Sequence, residues 1–299
     1  MPDYLIVLNK DEDTVTFIDE PGGQIVRTVP VDRNPHEVAV TPDGGKAFVS
    51  NAGGDTISVF DMTTLDVLDT IRHPEFRFPH EGKVMPDGRL VLASTYANKV
   101  FIIDTATHEV KKVLPAQRMS HMVALTPDGS RAYISNIGAN SFSILDLATE
   151  EWIAHHPVGR SPEGIGVSPD GKWVYVANQD DNLVYIIDTA THSLQARVRT
   201  AAVPIRVAFS PDGRYAFVPN REGDCVSVID VERMFEVKRI EVGIWPGGTV
   251  FNGAGDRSYV ANNKTNDVSV IEVKTLKETG RIDVGIHPDG MAFCRTSRK

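Results

Sequence analysis

The chain has 299 residues, of which 41% are hydrophobic and 24% charged, with a formal charge of −9. Those proportions are those of a globular protein, and the negative balance argues against non-specific binding to nucleic acid or anionic lipid, which needs a cationic surface. Two cysteines, Cys225 and Cys294, cannot make a disulfide framework and read as small buried apolar residues. No apolar run reaches membrane-spanning length.

The first predicted element is a strand, "YLIVLN", followed by the strands "TVTFID" and "IVRTVPV". The opening "MPDYLIVLNK" has no basic segment and no cleavage site before that strand. Cytoplasm is the expectation, although an exported protein without its leader reads the same way. Four further strands follow: "HEVAV", "KAFVS", "TISVFD" and "DVLDTIR". Alternating β-branched and aromatic residues between Gly, Pro, Asn and Asp clusters are a strand-and-turn pattern. The pattern then repeats. "TPDGGKAFVSN", "MPDGRLVLAST", "TPDGSRAYISN", "SPDGKWVYVAN" and "SPDGRYAFVPN" start their turns at Pro42, Pro86, Pro127, Pro169 and Pro211, and "FNGAGDRSYVAN" is a sixth copy without the Pro-Asp-Gly. In that turn Pro sets φ, Asp bonds its own backbone and Gly accepts positive φ.

Two further columns keep the same period. Asn9, Asn51, Ser94, Asn136, Asn178, Asn220 and Asn262 form one; Asp13, Asp55, Asn98, Asn140, Asn182, Asp224 and Asn266 form the other. Every copy has both, so they read as turn chemistry. Seven copies of four strands across residues 1–299 predict a single all-β domain, a seven-bladed β-propeller of four-stranded antiparallel blades. The last strand, "DGMAFC", has nothing after it. It is expected to join the first three strands in one blade and close the ring.

"YVAN" at 175–178 and 259–262, with "YISN", "FVSN" and "FVPN" as variants, resembles the repeat of the YVTN-repeat family of seven-bladed propellers. The resemblance spans essentially the whole chain. It implies the fold, but its members include surface-layer modules, lactonases and cofactor-pathway proteins, so it implies no single activity.

Function is therefore sought where the copies differ. The lead-ins to the first strand of each blade are "RNPH", "RFPH", "RMSH", "RSPE", "AVPI", "IWPG" and "IHPD". They end on His36, His80, His121, Glu163, Ile205, Gly247 and Asp289, seven residues in one structural slot. In a propeller that slot rings the upper mouth of the axial channel. Three imidazoles and a carboxylate in one ring are a ligand set for a divalent transition metal such as Zn, Fe, Mn, Ni or Cu. His36, His80, His121 and Glu163 are the predicted ligands, with Asp289, His73 and His287 nearby. Histidines in a polar channel also bond to backbone or water, but three of nine histidines in a slot of seven point to metal.

Arg33, Arg77, Arg118 and Arg160 stand three residues before the His and Glu positions, in those four blades alone. They read as a cationic half-collar for a carboxylate or phosphate, with Arg206 beside it and Trp245 on the apolar side. Glu37 and Glu81 follow the first two histidines and are candidates for orienting an imidazole or for general-base work; each also suits a strand salt bridge. Tyr96 is a candidate acid in an upper loop. There is no dinucleotide, Walker, serine-hydrolase, zincin or Cys-x-x-Cys motif. The expectation is a metal-dependent enzyme with a small anionic substrate and no nucleic acid or membrane partner, its reaction open among lyase, lactone-hydrolysing, isomerising and oxidising chemistry, with lyase or hydrolase favoured. A binding module whose rim takes an acidic protein, or a metallo-cofactor carrier, is the alternative.

Overall fold

The computed structural model describes residues 3–295; Met1 and Pro2 of the predicted N-terminal reading lie outside them. Seven four-stranded sheets are arranged as blades. Blade 1 comprises Pro35–Val40, Lys46–Asn51, Thr56–Asp61 and Asp66–Arg72, as the sequence predicts. Blades 2 to 6 repeat that order. In the seventh sheet, Pro288–Cys294 pairs antiparallel with Asp3–Asn9, with Tyr4 opposite Cys294 and Ile6 opposite Ala292. Among the described residues the helical content is two single-turn 3₁₀ segments, and no helix is long and apolar enough to cross a membrane.

Each sheet is twisted and cannot bury both faces alone. The core lies between blades: seven apolar clusters are each shared by two neighbouring sheets, such as Phe48 and Ile57 of blade 1 with Leu92 and Phe101 of blade 2. Cys225 and Cys294 are buried free thiols in this interior. The Pro-Asp-Gly turns have their Gly at positive φ, 68–88° in Gly44, Gly88, Gly129, Gly171 and Gly213.

The periodic Asn column is structural. Asn51 Nδ2 donates to Thr56 and Ser58, and Asn136 Nδ2 to Ser141 and Ser143. The Asp/Asn column does something that the sequence reading did not specify. Asp13, Asp55, Asn98, Asn140, Asn182, Asp224 and Asn266 each accept a backbone N–H from the next blade's lead-in, at 2.7–3.0 Å. The donors are Asn34, Phe78, Met119, Ser161, Val203, Trp245 and His287. All seven have left-handed backbone, φ 50–61°, which is costly for a non-glycine residue. The side-chain clasp offsets that cost and ties each blade to the next. Asp55→Ala is expected to lose about 1–2 kcal/mol, read by urea denaturation, and Asp55→Asn much less because its amide oxygen still accepts.

A register shift follows the lead-in in the first strand of every blade except the fifth, as between Pro35 and Glu37 and between Pro79 and Gly82. Such bulges re-aim side chains. In blade 5 the first strand is reduced to Ala208–Phe209. Its neighbour carries Pro219 where blades 1 to 4 and 6 have Ser50, Ala93, Ser135, Ala177 and Ala261. Proline has no N–H for the ladder, so the segment around Arg206 is released from regular pairing.

Candidate functional site

The slot residues surround the upper end of the axis. A cavity of about 320 Å³ is lined there by His36, His121, Glu163, Tyr96, Arg206, Trp245 and Asp289, among others. His80 lies behind it, fully buried between His36 and His121, with ring centroids at 4.4 and 3.6 Å. Neither ring nitrogen of His80 has a hydrogen-bond partner among the described residues. His36 Nδ1 is 3.4 Å from Asp289 Oδ2 but out of hydrogen-bond alignment. His121 Nδ1 bonds Thr95 Oγ1 at 2.9 Å.

The carboxylate grouped with the first two histidines differs from the predicted one. His36, Glu37 and His80 can each offer a ligand atom, all within 4.8 Å of one another. Two ligands on one ion lie at most about 4.2 Å apart, twice a bond of about 2.1 Å, so the trio needs to close by several tenths of an ångström. Glu163 is engaged elsewhere: its Oε1 accepts from Arg206 Nη1 at 2.9 Å, and its Oε2 is 3.6 Å from Arg221. His121 stacks face to face on His80 at 25° between ring planes. The four predicted ligands thus lie together, while the grouped donor atoms are those of His36, Glu37 and His80.

Arg206 ties the site across the axis. Its Nη2 donates to Glu37 Oε1 at 2.6 Å and lies 3.8 Å from Asp289 Oδ1. One guanidinium therefore holds carboxylates from blades 1, 4 and 7. Arg206 is 6% exposed, so it serves these partners and is not a free substrate grip. Neighbouring first strands approach closely here only because two residues lack a side chain: a Cβ on Gly164 would meet Arg206 Cα at 2.6 Å, and one on Gly290 would meet the backbone oxygen of His36 at 2.2 Å. Glu81 Oε1 pairs with Lys83 at 2.6 Å and its Oε2 accepts the Val123 N–H at 2.8 Å. Those bonds give Glu81 a structural role between blades 2 and 3.

Burial shapes the titration. It lowers the His36 pKa to about 3, with Asp289 pulling the other way, and it holds His80 and His121 well below the ordinary imidazole value. All three are neutral imidazoles near pH 7, the form that binds metal. Burial also raises Glu37 to about 7, opposed by Arg206 and reinforced by Glu81 and Asp289. Burial alone would push the Asp289 carboxyl up, but His36, Lys10 and Arg206 around it hold it well below the usual range.

The predicted arginine collar does not face the mouth. Arg33, Arg77, Arg118 and Arg160 are exposed, and none lines the cavity. Arg77 Nη1 donates to Pro74 O, Arg118 Nε to Gly138 O and Arg160 Nε to Asp181 Oδ1, at 3.1, 2.6 and 2.6 Å. The left-handed lead-in residue takes an inward place in four blades, where Phe78, Met119, Trp245 and His287 line the mouth; Asn34 and Ser161, which follow Arg33 and Arg160, do not line it. The cations that do reach the mouth are Lys10 and Arg221, beside Arg206. Lys10 Nζ is 3.4 Å from Asp289, and Arg221 Nη2 donates to Gln179 Oε1 at 2.9 Å. Both lie in second-strand exits, a column that the lead-in alignment does not compare. Tyr96 is 62% exposed and packs on Phe78 at 4.7 Å; Trp245 carries Lys264 Nζ over its ring at 3.5 Å. His73 packs on Phe76 and Phe101 away from the cavity, and His287 Nδ1 is 2.9 Å from Asp11.

Among solved structures the fold has many relatives. Hydrazine synthase of Kuenenia stuttgartiensis is 23% identical, with a TM-score of 0.84 over 90% of this chain and 92% of that one. A putative 6-phosphogluconolactonase from Bacteroides fragilis is 18% identical, with a TM-score of 0.82 and 98% of each chain covered. The dihydro-heme d1 dehydrogenase NirN is 15% identical, with a TM-score of 0.74 over 97% of this chain and 74% of that one. At these identities the likeness is one of fold. A search of curated proteins finds no significant match. Residues 175–282 match the family profile described as cytochrome D1 heme domain. Residues 31–209, more than half of the chain, match the profile described as lactonase, 7-bladed beta-propeller, and the chain belongs to that family.

Proposed function

We propose that the upper mouth binds a divalent transition metal on its histidine row and hydrolyses a small anionic lactone. The observation that carries the metal is His80: wholly buried, flanked by two imidazoles, with both ring nitrogens unbonded. Leaving a buried polar group unsatisfied costs about 1–3 kcal/mol, and an ion held with His36 and Glu37 relieves it. His121 stands next in the row, and Glu163 and Asp289 supply further negative charge. When bound, such an ion polarises a carbonyl or acidifies a water.

The protein's own groups supply the rest. Lys10 and Arg221 hold the substrate's carboxylate or phosphate by charge-assisted bonds. Phe78, Tyr96 and Trp245 pack against its organic part, as small-molecule pockets do. Ring opening adds water across the acyl C–O bond, giving a carboxylate and a hydroxyl without redox change. Asp289, which lines the mouth and stands outside the grouped ligands, takes the proton from water and returns it to the leaving oxygen. Family membership favours hydrolysis over the lyase, isomerase and oxidase chemistries that the same ligand set permits.

Purified protein is expected to carry about one equivalent of metal by elemental analysis, and His80→Ala to weaken uptake at least 100-fold. Turnover of a sugar lactone panel should need the metal and fall with Lys10→Met and Arg221→Met, chiefly in KM. Metal-free protein as isolated, with equal uptake by wild type and His80→Ala, would sink the proposal. A metallo-cofactor carrier is the second reading, favoured by the heme-domain match at 175–282, which includes Arg221 and Trp245. A visible absorption band on reconstitution with a tetrapyrrole, with no lactone turnover, would select it.

A further inference from the structure

A second histidine pair stands apart from the mouth, between blades 3 and 4. One member, His192, ends the turn "DTATH" at 188–192 of blade 4; blade 2 has the same turn at 104–108, ending on His108. His108 is fully bonded. Its Nδ1 donates to Asp69 Oδ2 on the outer strand of blade 1 at 2.7 Å, and its Nε2 accepts from Lys46 Nζ at 2.9 Å. Blade 3 has Ala154 at the Asp69 position, opposite Ile144 as Asp69 is opposite Val59. His192 therefore lacks that carboxylate and meets His156 instead, with ring centroids 5.0 Å apart and 56° between the planes. The Nε2 atoms of both rings are shut off from solvent and have no hydrogen-bond partner among the described residues.

His156 is itself an exception to the repeat. It lies opposite Phe142 in the outer strand of blade 3, and the other six blades carry Val29, Ile71, Leu114, Val198, Ile240 and Ile282 at that register. An aliphatic side chain there needs only packing. An imidazole brings nitrogens that packing cannot satisfy: stacking on Phe142, at 5.3 Å and 23°, accounts for the ring face and not for Nε2. A buried polar atom without a partner is destabilising, and this interface has two. One shared ion relieves both. Two imidazoles on a tetrahedral zinc, with Zn–N of about 2.1 Å and each ring centre about 1.2 Å behind its nitrogen, have centres about 5 Å apart, which matches the spacing seen here. Both rings border a cavity of about 360 Å³, with room for water on the ion. No carboxylate lines it, and Arg197, its one cation, lies over the Tyr185 ring at 5.0 Å. Neutral imidazoles offer lone pairs to a cation rather than charge to an anion.

We propose that His156 and His192 bind a divalent transition metal such as zinc through their Nε2 atoms, a site distinct from the mouth that staples blade 3 to blade 4. With two protein ligands the ion exchanges on dialysis, so the site is read by titration. The test is calorimetric titration of the full-length His80→Ala protein with zinc chloride at pH 7.5, a background in which the mouth is weakened. One zinc per chain is expected, with a thermal midpoint that rises as zinc is added. Adding His156→Ala or His192→Ala should weaken binding at least ten-fold and remove the thermal gain, with metal-free melts checking the fold. His155, bonded to Ser143 at 2.8 Å, and His108 are the controls: replacing either by Ala should leave zinc binding at the parent's level. Wild type should take this zinc besides any at the mouth, so failure of one site is told apart from failure of the other. The proposal is overturned if the His80→Ala protein takes no zinc, or if a folded His156→Ala or His192→Ala variant binds like its parent. It is equally overturned if a control loses zinc as they do, or if inorganic phosphate, and not zinc, gives the His156-dependent thermal gain.

Discussion

Replacing Arg206 by Met is expected to destabilise the propeller by about 3–5 kcal/mol, the range for stripping a buried charge of its partner. Arg206 bonds Glu37 and Glu163 and stands near Asp289, all three of them buried. Without it, three carboxylates from three blades face one another with Lys10 and Arg221 as the remaining cations at the mouth. Each must take a proton or repel its neighbours. The loss, measured by urea denaturation at pH 7.5, should shrink when Glu37→Gln is added, because that removes one uncompensated charge at the same contact. Equal stability of wild type and Arg206→Met would show that the network does not operate as drawn.

Acid should unfold the metal-free protein earlier than its carboxylates alone would dictate. The folded pKa of His36 is lowered to about 3, and His80 and His121 are shifted the same way. For a lowered imidazole the unfolded chain takes the proton first. Its stabilisation is complete above about pH 6.5, the ordinary imidazole value, and is lost as pH falls toward the folded pKa. For His36 that interval amounts to on the order of 4–5 kcal/mol at about 1.36 kcal/mol per pH unit. Glu37 acts with the opposite sign. Its raised pKa of about 7 lets the folded state take a proton first, so its contribution grows as pH falls from 7 toward its ordinary 4.5. Three imidazoles outweigh one carboxyl between pH 6.5 and 4.5, and the urea midpoint should fall across that window. Glu37→Gln should steepen the fall and His121→Asn should flatten it. A midpoint that does not change from pH 6.5 to 4.5 would contradict the burial of neutral imidazoles.

The blades were legible because a repeat writes its turns in residue types. Pro-Asp-Gly, the Asn column and alternating strands each announce a backbone conformation. The mouth slot was legible for the same reason, since His36, His80 and His121 share one frame position. What escaped is which side chains meet across the axis. Glu37 and Arg206 share one frame position, the residue after the slot, 169 residues apart, but a repeat alignment ranks positions around the ring and does not say that a guanidinium from blade 5 reaches a carboxylate of blade 1. The arginine column was periodic, but its direction was set by the left-handed residue beside it. That residue hid because its identity varies from blade to blade; the sign available was the Asp/Asn column 21 residues upstream in six blades and 23 in the other.

The same clasp bears on how such a protein changes its ligand. It grips a backbone amide, and so asks nothing of the side chain on that residue. The seven positions accordingly carry seven different amino acids, Asn34, Phe78, Met119, Ser161, Val203, Trp245 and His287. Rim chemistry is uncoupled from folding there: one substitution can redraw the entrance while the scaffold beneath stays as it was, which makes this ring the natural place for selection, or a designer, to retune specificity.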